Sequence, residues 1–221
     1  MSEPAVSRIS QRRSAALTEG GADYSAKRTE LIRVAAEVFR AKGYAAATLN
    51  DIASVFGTDR ASLYYYVASK EELFQECISV SVSSNIEKAE AISAKAISPR
   101  EKLKELIDLL INSQVEHYPY MYVYIQEDMR QVASQDALWA QNMVEQTHRL
   151  ERLFIDVIAE GVNDGVFRSD LSNTLIANSL FGMTQWTHRW FVPGKSKYSA
   201  EDLIRVFSTV LFEGIDVERA E

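Results

Sequence analysis

From about Ser25 apolar side chains recur at helical spacing: Leu31, Ala35, Val38 and Phe39 fall at i, i+4, i+7 and i+8, while Lys27, Arg28, Glu30, Arg33, Glu37 and Arg40 lie mostly off that stripe. The period predicts a helix closing at Lys42-Gly43, glycine being suited to the position after a helix C-terminus. Thr48 and Asp51 have the spacing of a capping box and predict a second helix whose buried side is Ile52, Ala53 and Phe56. Gly57 supplies a tight turn, Asp59 caps a third helix, and Leu63 and Val67 point back onto the second. Ser69 with Glu72 opens a long helix to about Ala91, and Ser98-Pro99-Arg100-Glu101 opens another from Pro99 to about Glu116. Tyr118-Pro119 interrupts the pattern. A segment dense in aromatics and Met follows from Tyr120 to about Val132, then a helix from about Asp136 to the turn at Asn163-Asp164-Gly165. Ser172 starts the next helix, which Pro193-Gly194 ends, and Ser199 with Asp202 caps the last, from Ala200 to about Val217. About nine helices without strand alternation predict an all-α protein, a three-helix helix-turn-helix followed by a C-terminal helical bundle, with no internal repeat.

Composition refines this picture. Residues 1–23, rich in Ser, Ala, Gly and Arg and without a period, read as a disordered arm, in which Arg8, Arg12 and Arg13 either touch a DNA backbone or belong to a solvated tail. Residues 24–70 form the helix-turn-helix domain, and 71–221 the effector-binding and dimerisation domain. With 221 residues, 47% of them hydrophobic, the chain is long enough for real cores. It has neither a signal-peptide h-region nor about 18 uninterrupted apolar residues, so a cytoplasmic address and no membrane are expected. Cys77, the only cysteine, excludes a disulfide framework and reads as a small core residue. The net charge of −7 looks unsuited to nucleic acid. Its distribution corrects that impression: residues 1–75 hold ten of the 24 basic and nine of the 31 acidic side chains, so the excess acid, 22 against 14, lies beyond them.

A helix-turn-helix lays its second helix in the major groove with the residues near that helix's start against base edges. Here these are Thr58, Arg60, Ala61, Ser62 and Tyr64. Arg60 can donate two hydrogen bonds to guanine, Ser62 can serve either base type, and Ala61 or a Tyr ring can meet a thymine methyl. Asn50 is a further base-contact candidate. Phosphate positioning falls to Thr48, Tyr65, Tyr66 and Lys70, the first and last standing at helix starts where free N–H groups favour an anion. Two alternatives stand beside this reading: the tyrosines as core aromatics, and a helix-turn-helix serving as a protein–protein module. Three consecutive tyrosines on a helix sweep about 200°, so they cannot all face one core and at least one must be exposed.

The chain from about Thr29 to Phe74, with AAEVFRAKGYAAATLNDIASVFGTDRASLYYYVASKEELF at residues 35–74, resembles the TetR/AcrR-type one-component transcriptional regulators: helix, glycine, Thr-capped helix, glycine turn, Leu-Tyr-Tyr, then Ser-Lys-Glu-Glu-Leu. It departs from that pattern at Tyr66, where His is usual, at Val67, where Phe is usual, and at Asp59, where Ser or Thr is common. The resemblance implies an all-helical homodimer that binds a pseudo-palindromic double-stranded operator and whose C-terminal domain takes a small effector, releasing the DNA. It implies no cofactor and no catalysis. Dimerisation is expected from the last two helices, with Leu203, Val206, Phe207, Val210 and Leu211 as an apolar face.

Two aromatic groups could build an effector pocket, one around Tyr118, Tyr120, Met121, Tyr122, Tyr124 and Met129, the other around Phe181, Met183, Trp186, Trp190 and Phe191 with His188 and Arg189. Either could equally be core, or lie at the dimer interface. The segments MYVYIQEDMRQVASQ and WTHRWFVPG resemble, less specifically, a branch of the family that governs lipid and steroid catabolism and responds to acyl-CoA thioesters. That resemblance implies Arg130 and Arg189 for the anionic end of the ligand, with Tyr124, Met143, Phe181 and Trp186 along the apolar part. An enzyme reading rests on Glu145-x-x-His148, a carboxylate and an imidazole one turn apart as in di-iron bundles; a second such pair and two further glutamates would be needed, and the chain shows no second pair.

Overall fold

The computed structural model describes residues 21–127 and 138–216. Arg8, Arg12, Arg13, Met129 and Arg130 lie outside the described residues. Among the described residues are nine α-helices: α1 (Ala22–Lys42), α2 (Leu49–Phe56), α3 (Arg60–Leu63), α4 (Lys70–Ser93), α5 (Pro99–Glu116), α6 (Tyr120–Gln126), α7 (Leu138–Asn163), α8 (Asn173–Trp186) and α9 (Ala200–Ile215). The described residues contain no strand, only an isolated antiparallel bridge between Phe167 and Asp216. None of their helices is long and apolar enough to cross a membrane. The chain divides into two compact units, Met1–Val80 and Ser81–Glu221; α4 begins in the first and ends in the second.

In the first unit Leu31, Ala35, Val38 and Phe39 of α1 close a core with Ile52 and Ala53 of α2, Leu63 and Val67 around α3, and Leu73, Phe74 and Ile78 of α4. The elements form where their caps dictate. The Thr48 hydroxyl accepts from the Asp51 N–H while the Asp51 carboxylate takes the Thr48 N–H, and Gly57 turns the chain at φ 81°. Cys77 is buried against the Ile32 carbonyl, and burial pushes its thiol pKa up, so it stays protonated and unreactive.

The second unit is organised on a core of Leu103, Leu106 and Ile107 from α5, Phe154, Val157 and Ile158 from α7, Ile176, Ala177 and Leu180 from α8, and Leu211, Phe212 and Ile215 from α9. Lys102, almost wholly buried, donates to both Glu160 oxygens at 2.8 and 2.9 Å and ties α5 to α7. The boxes at Ser98/Glu101 and Ser199/Asp202 close as their spacing predicts.

Several elements depart from the expectation. α1 begins at Ala22, with Gly21 at its N-cap, three residues earlier than the apolar period suggests. The third helix ends at Leu63, and Tyr64–Tyr66 form a turn in which the Tyr65 and Tyr66 N–H groups bond the carbonyls of Ser62 and Leu63. At Ser69 the box is only half reciprocal: the Ser69 hydroxyl accepts from Glu72 N–H, but the Glu72 carboxylate takes the N–H of Ala68. α8 stops at Trp186 and tightens into a 3₁₀ turn, Thr187–Arg189, well before Pro193. The physical reason lies at Thr184, whose carbonyl is engaged by Gln114 Nε2 at 3.0 Å and Thr187 Oγ1 at 2.6 Å. Leu203 and Leu211 are buried in the unit's own core and Phe207 packs against it, so of the expected interface face only Val206 and Val210 point outward.

Candidate nucleic-acid interface and effector cavity

In the first unit α2, the Gly57 turn and α3 present one polar surface. Thr48, Asn50, Arg60, Ala61, Ser62 and Tyr65 are exposed, and Thr58, Tyr64, Tyr66 and Lys70 are half-buried. Asp59 caps α3: one carboxylate oxygen accepts from the Ser62 N–H and the other from the Ser62 hydroxyl, both at 2.9 Å. Those bonds hold its pKa below the usual carboxylate range. The cap aims α3, but the Ser62 hydroxyl proton is directed at Asp59, leaving its lone pairs for a base donor. Arg60 donates to the Tyr64 hydroxyl at 3.1 Å, a pairing one turn apart that extends the guanidinium along the exposed side.

The chain folds a concavity around these groups, in which Thr58, Ala61, Ser62, Tyr65 and Tyr66 are joined by Lys27, Phe56 and Gly57. Lys27 and Tyr24 are the residues that sequence reasoning missed. Tyr24 stacks on Tyr66 at 5.3 Å between ring centroids and meets Tyr65 edge-on at 5.3 Å, so the first turn of α1 holds the tyrosine turn in place. The available signal was their position, three residues apart on one side of the first helix; the apolar period, which begins at Leu31, gives no reason to aim them at the tyrosine turn. Lys70 is placed otherwise than expected. Its ammonium donates to the carbonyls of Tyr44 at 2.8 Å and Ala47 at 2.9 Å and lies over the Tyr44 ring. The side chain therefore braces the α1–α2 connection, and only its position at the start of α4 remains suited to a phosphate.

In the second unit a cavity of about 40 Å³ lies among α4, α5, α6, α7 and α8, lined by Leu110, Met121, Tyr124, Ile125, Leu150 and Phe181 with polar groups from Asn85, Gln114, Gln146, Thr147, Glu151 and Gln185. Of the residues expected to hold an effector, Tyr124 and Phe181 line it. Tyr124 hydrogen-bonds Thr147, and burial raises its phenol pKa. Met143 is buried but outside the lining, and Tyr120 is half-buried outside it. Trp186 and Trp190 are exposed, with Arg189 stacked on the Trp186 ring at 4.4 Å. With Leu175, Val206 and Val210 they belong to the outer apolar surface of α8, the 3₁₀ turn and α9. Glu145 and His148 are exposed, and among the described residues no three His, Cys, Asp or Glu side chains stand close enough to hold a metal ion.

A capped helix, a tight glycine turn and a short second helix with exposed Arg60, Ala61 and Ser62 define a helix-turn-helix DNA-binding protein, joined to a separate helical unit with its own cavity. Residues 31–77 match the family model described as bacterial regulatory proteins, tetR family, and residues 96–215, just over half of the chain, match the tetracyclin repressor-like C-terminal domain. The chain belongs to the tetR family of bacterial regulatory proteins, and is a DNA-binding transcriptional regulator rather than an enzyme. It is 28% identical over 195 residues to the HTH-type transcriptional repressor KstR2 of Mycobacterium tuberculosis, covering 88% of this chain and 95% of that one. The KstR2 of Mycolicibacterium smegmatis is 29% identical over 192 residues, 86% and 91% of the two chains. Among solved structures, the ketosteroid transcriptional regulator KstR2 of M. tuberculosis superposes with a TM-score of 0.79 at 27% identity over 86% of this chain and 95% of that one. AibR in complex with isovaleryl coenzyme A and operator DNA shares the fold, with a TM-score of 0.69 at 18% identity over 84% and 98%.

Proposed function

We propose that the protein is a cytoplasmic, homodimeric repressor that leaves a pseudo-palindromic operator when the cavity of its second unit takes a small hydrophobic effector, with acyl-CoA thioesters as the candidate class. The observation that carries the DNA side is the Asp59-capped start of α3, which presents Arg60, Ala61 and Ser62 to solvent together. The repressor sense is supported by the KstR2 relatives, matched over most of both chains, and the thioester class by AibR, which binds isovaleryl coenzyme A and operator DNA. Two copies must set their recognition helices about 34–36 Å apart to meet successive major grooves. The outward stripe of Leu175, Trp186, Val206 and Val210 is the surface proposed for the second copy.

The mechanism is population shift. α4 is a single helix of 24 residues, about 36 Å long, whose first residue braces the α1–α2 connection and whose Asn85 lines the cavity. A cavity of about 40 Å³ is far smaller than the roughly 300–1,000 Å³ of ordinary ligand sites, so an effector must select a state in which it is opened. Tenfold looser DNA binding requires about 1.4 kcal/mol of difference in effector affinity between the two states. The test is fluorescence anisotropy with duplexes tiling the promoter of the protein's own gene, repeated with a series of acyl-CoA thioesters and the matching free acids. The expected result is a dimer bound to one palindromic segment and dissociated by a subset of thioesters. Tight, sequence-specific binding that no thioester or acid alters would refute the effector class, and an absence of any sequence preference would refute the operator reading.

A further inference from the structure

The lining of the second-unit cavity is chemically one-sided. Asn85 is 2% exposed, and its Oδ1 is buried without a hydrogen-bond partner; Gln146 Oε1, on the same lining, is likewise unpartnered. Glu151 is among the residues lining the same space. Among the described lining residues there is no Lys, Arg or His, and Arg189 is engaged on the Trp186 ring. Buried acceptors left unpaired are costly and uncommon in native proteins, and they mark the place where a donor is to arrive. Tyr124 pairs with Thr147, and Gln114 Nε2 donates to the Thr184 carbonyl. Among the buried side-chain atoms of the described lining, the unpartnered ones are two oxygens, one on α4 and one on α7, beside an acid.

We propose that the cavity seats a hydrogen-bond-donating group, a hydroxyl or an amine, between Asn85 and Gln146, and excludes an anionic end. The apolar remainder of the ligand lies along Leu110, Met121, Leu150 and Phe181. This inference rests on the effector reading above and specifies it: in a coenzyme A thioester the phosphates stay outside, and the buried acyl group carries the donor. A carboxylate placed here would meet Glu151 and two acceptor oxygens, with no cation among the described lining residues. The α4 position of Asn85 makes the same bond a means of shifting that helix.

The experiment is isothermal titration of the full-length protein with four probes sharing one tail: 1-octanol, octylamine, methyl octyl ether and octanoate. Octanol and octylamine distinguish a hydroxyl seat from an amine seat. The ether accepts but cannot donate, and octanoate is anionic. At least one of the two donors is expected to bind ten or more times more tightly than the ether and octanoate, since a site with buried polar groups rejects ligands that leave them unpaired. Asn85→Leu and Gln146→Met should retain ether binding and lose the preference, with circular dichroism confirming their fold. Ether or octanoate binding the wild-type protein as tightly as either donor would overturn the proposal, because the amides would then be presenting N–H groups instead. Failure of all four probes to bind, or a preference unchanged in both variants, would overturn it too. A thioester that releases the operator without competing with octanol would leave the effector reading standing and this inference refuted; octanol binding with no thioester active would do the reverse.

Discussion

Asp59 combines two properties that a serine would separate. Its carboxylate caps α3 through the Ser62 N–H and hydroxyl, and its negative charge stands at the start of the proposed reading helix. Serine caps a helix about as well as aspartate, so Asp59→Ser should leave the melting temperature nearly unchanged while tightening operator binding severalfold at low salt. The gain should fade as ionic strength rises, because the repulsion removed is a solvent-screened one. Titrating salt in the anisotropy assay checks both parts. At Asp51 the Lys42 ammonium first, and the Thr48 hydroxyl and N–H after it, hold the carboxyl pKa at about 2. A depressed pKa adds stability that is full above the unfolded-state value near 3.8 and is lost as pH falls through about 2. Asp51→Asn should therefore be less stable than wild type at pH 5 and approach it as pH falls to 2, measured by thermal unfolding along that series. The Thr48/Asp51 box was legible in the sequence because both partners lie within one turn. The Lys42 bond was not, since it needs the end of α1 brought beside the start of α2.

At the scale of elements, helices were legible where a cap and an apolar period coincide, as at Pro99–Glu116 and Ala200–Ile215. The sequence misjudged ends set by another element. α8 stops early because Gln114 of α5 engages a carbonyl of its last turn, and α3 is short because Tyr65 and Tyr66 turn to meet Tyr24 of α1. Lys70 is the clearest such case. Read as a phosphate contact, its side chain instead ties α4 to three carbonyls of the α1–α2 connection. Lys70→Ala should lower the stability of the protein by about 1.5–3 kcal/mol, the range for hydrogen bonds to a charged group, in a chemical-denaturation experiment without DNA. A loss confined to DNA binding would restore the original reading. Gly161, inside α7, matters for a different reason: a Cβ there would stand 2.3 Å from the fully buried Phe167 ring. Gly161→Ala should cost about 1–3 kcal/mol despite alanine's better helix propensity, because a packed ring has no space to yield. Calorimetry on the variant decides it.

For the whole molecule, the decisive surface is the one the isolated chain leaves bare. Trp186 at 57% exposure and Val210 at 56%, with Leu175 on α8 and Val206 on α9, are the large apolar side chains proposed to meet a second copy. Val206→Glu with Val210→Glu should give a monomer by light scattering with unchanged helix content and operator affinity reduced at least about a hundredfold, since each half-site would bind without the linkage of its partner. An unaltered dimer would place the interface elsewhere.

The amino-acid sequence by itself determined the all-helical class, the starts of the helices that carry a capping box, the helix-turn-helix, and the family. All of these depend on neighbours within a few residues: caps, periods and turn glycines act over one or two turns of chain. Only the tertiary structure decided which aromatic residues face a cavity and which face water, that Asn85 and Gln146 are left with unpaired oxygens, and that Lys70 is a brace. Each of those properties depends on which distant segment comes alongside. Trp186 and Phe181 share one helix and nearly the same hydrophobicity, yet α7 packs against Phe181 through Phe154 and leaves Trp186 uncovered.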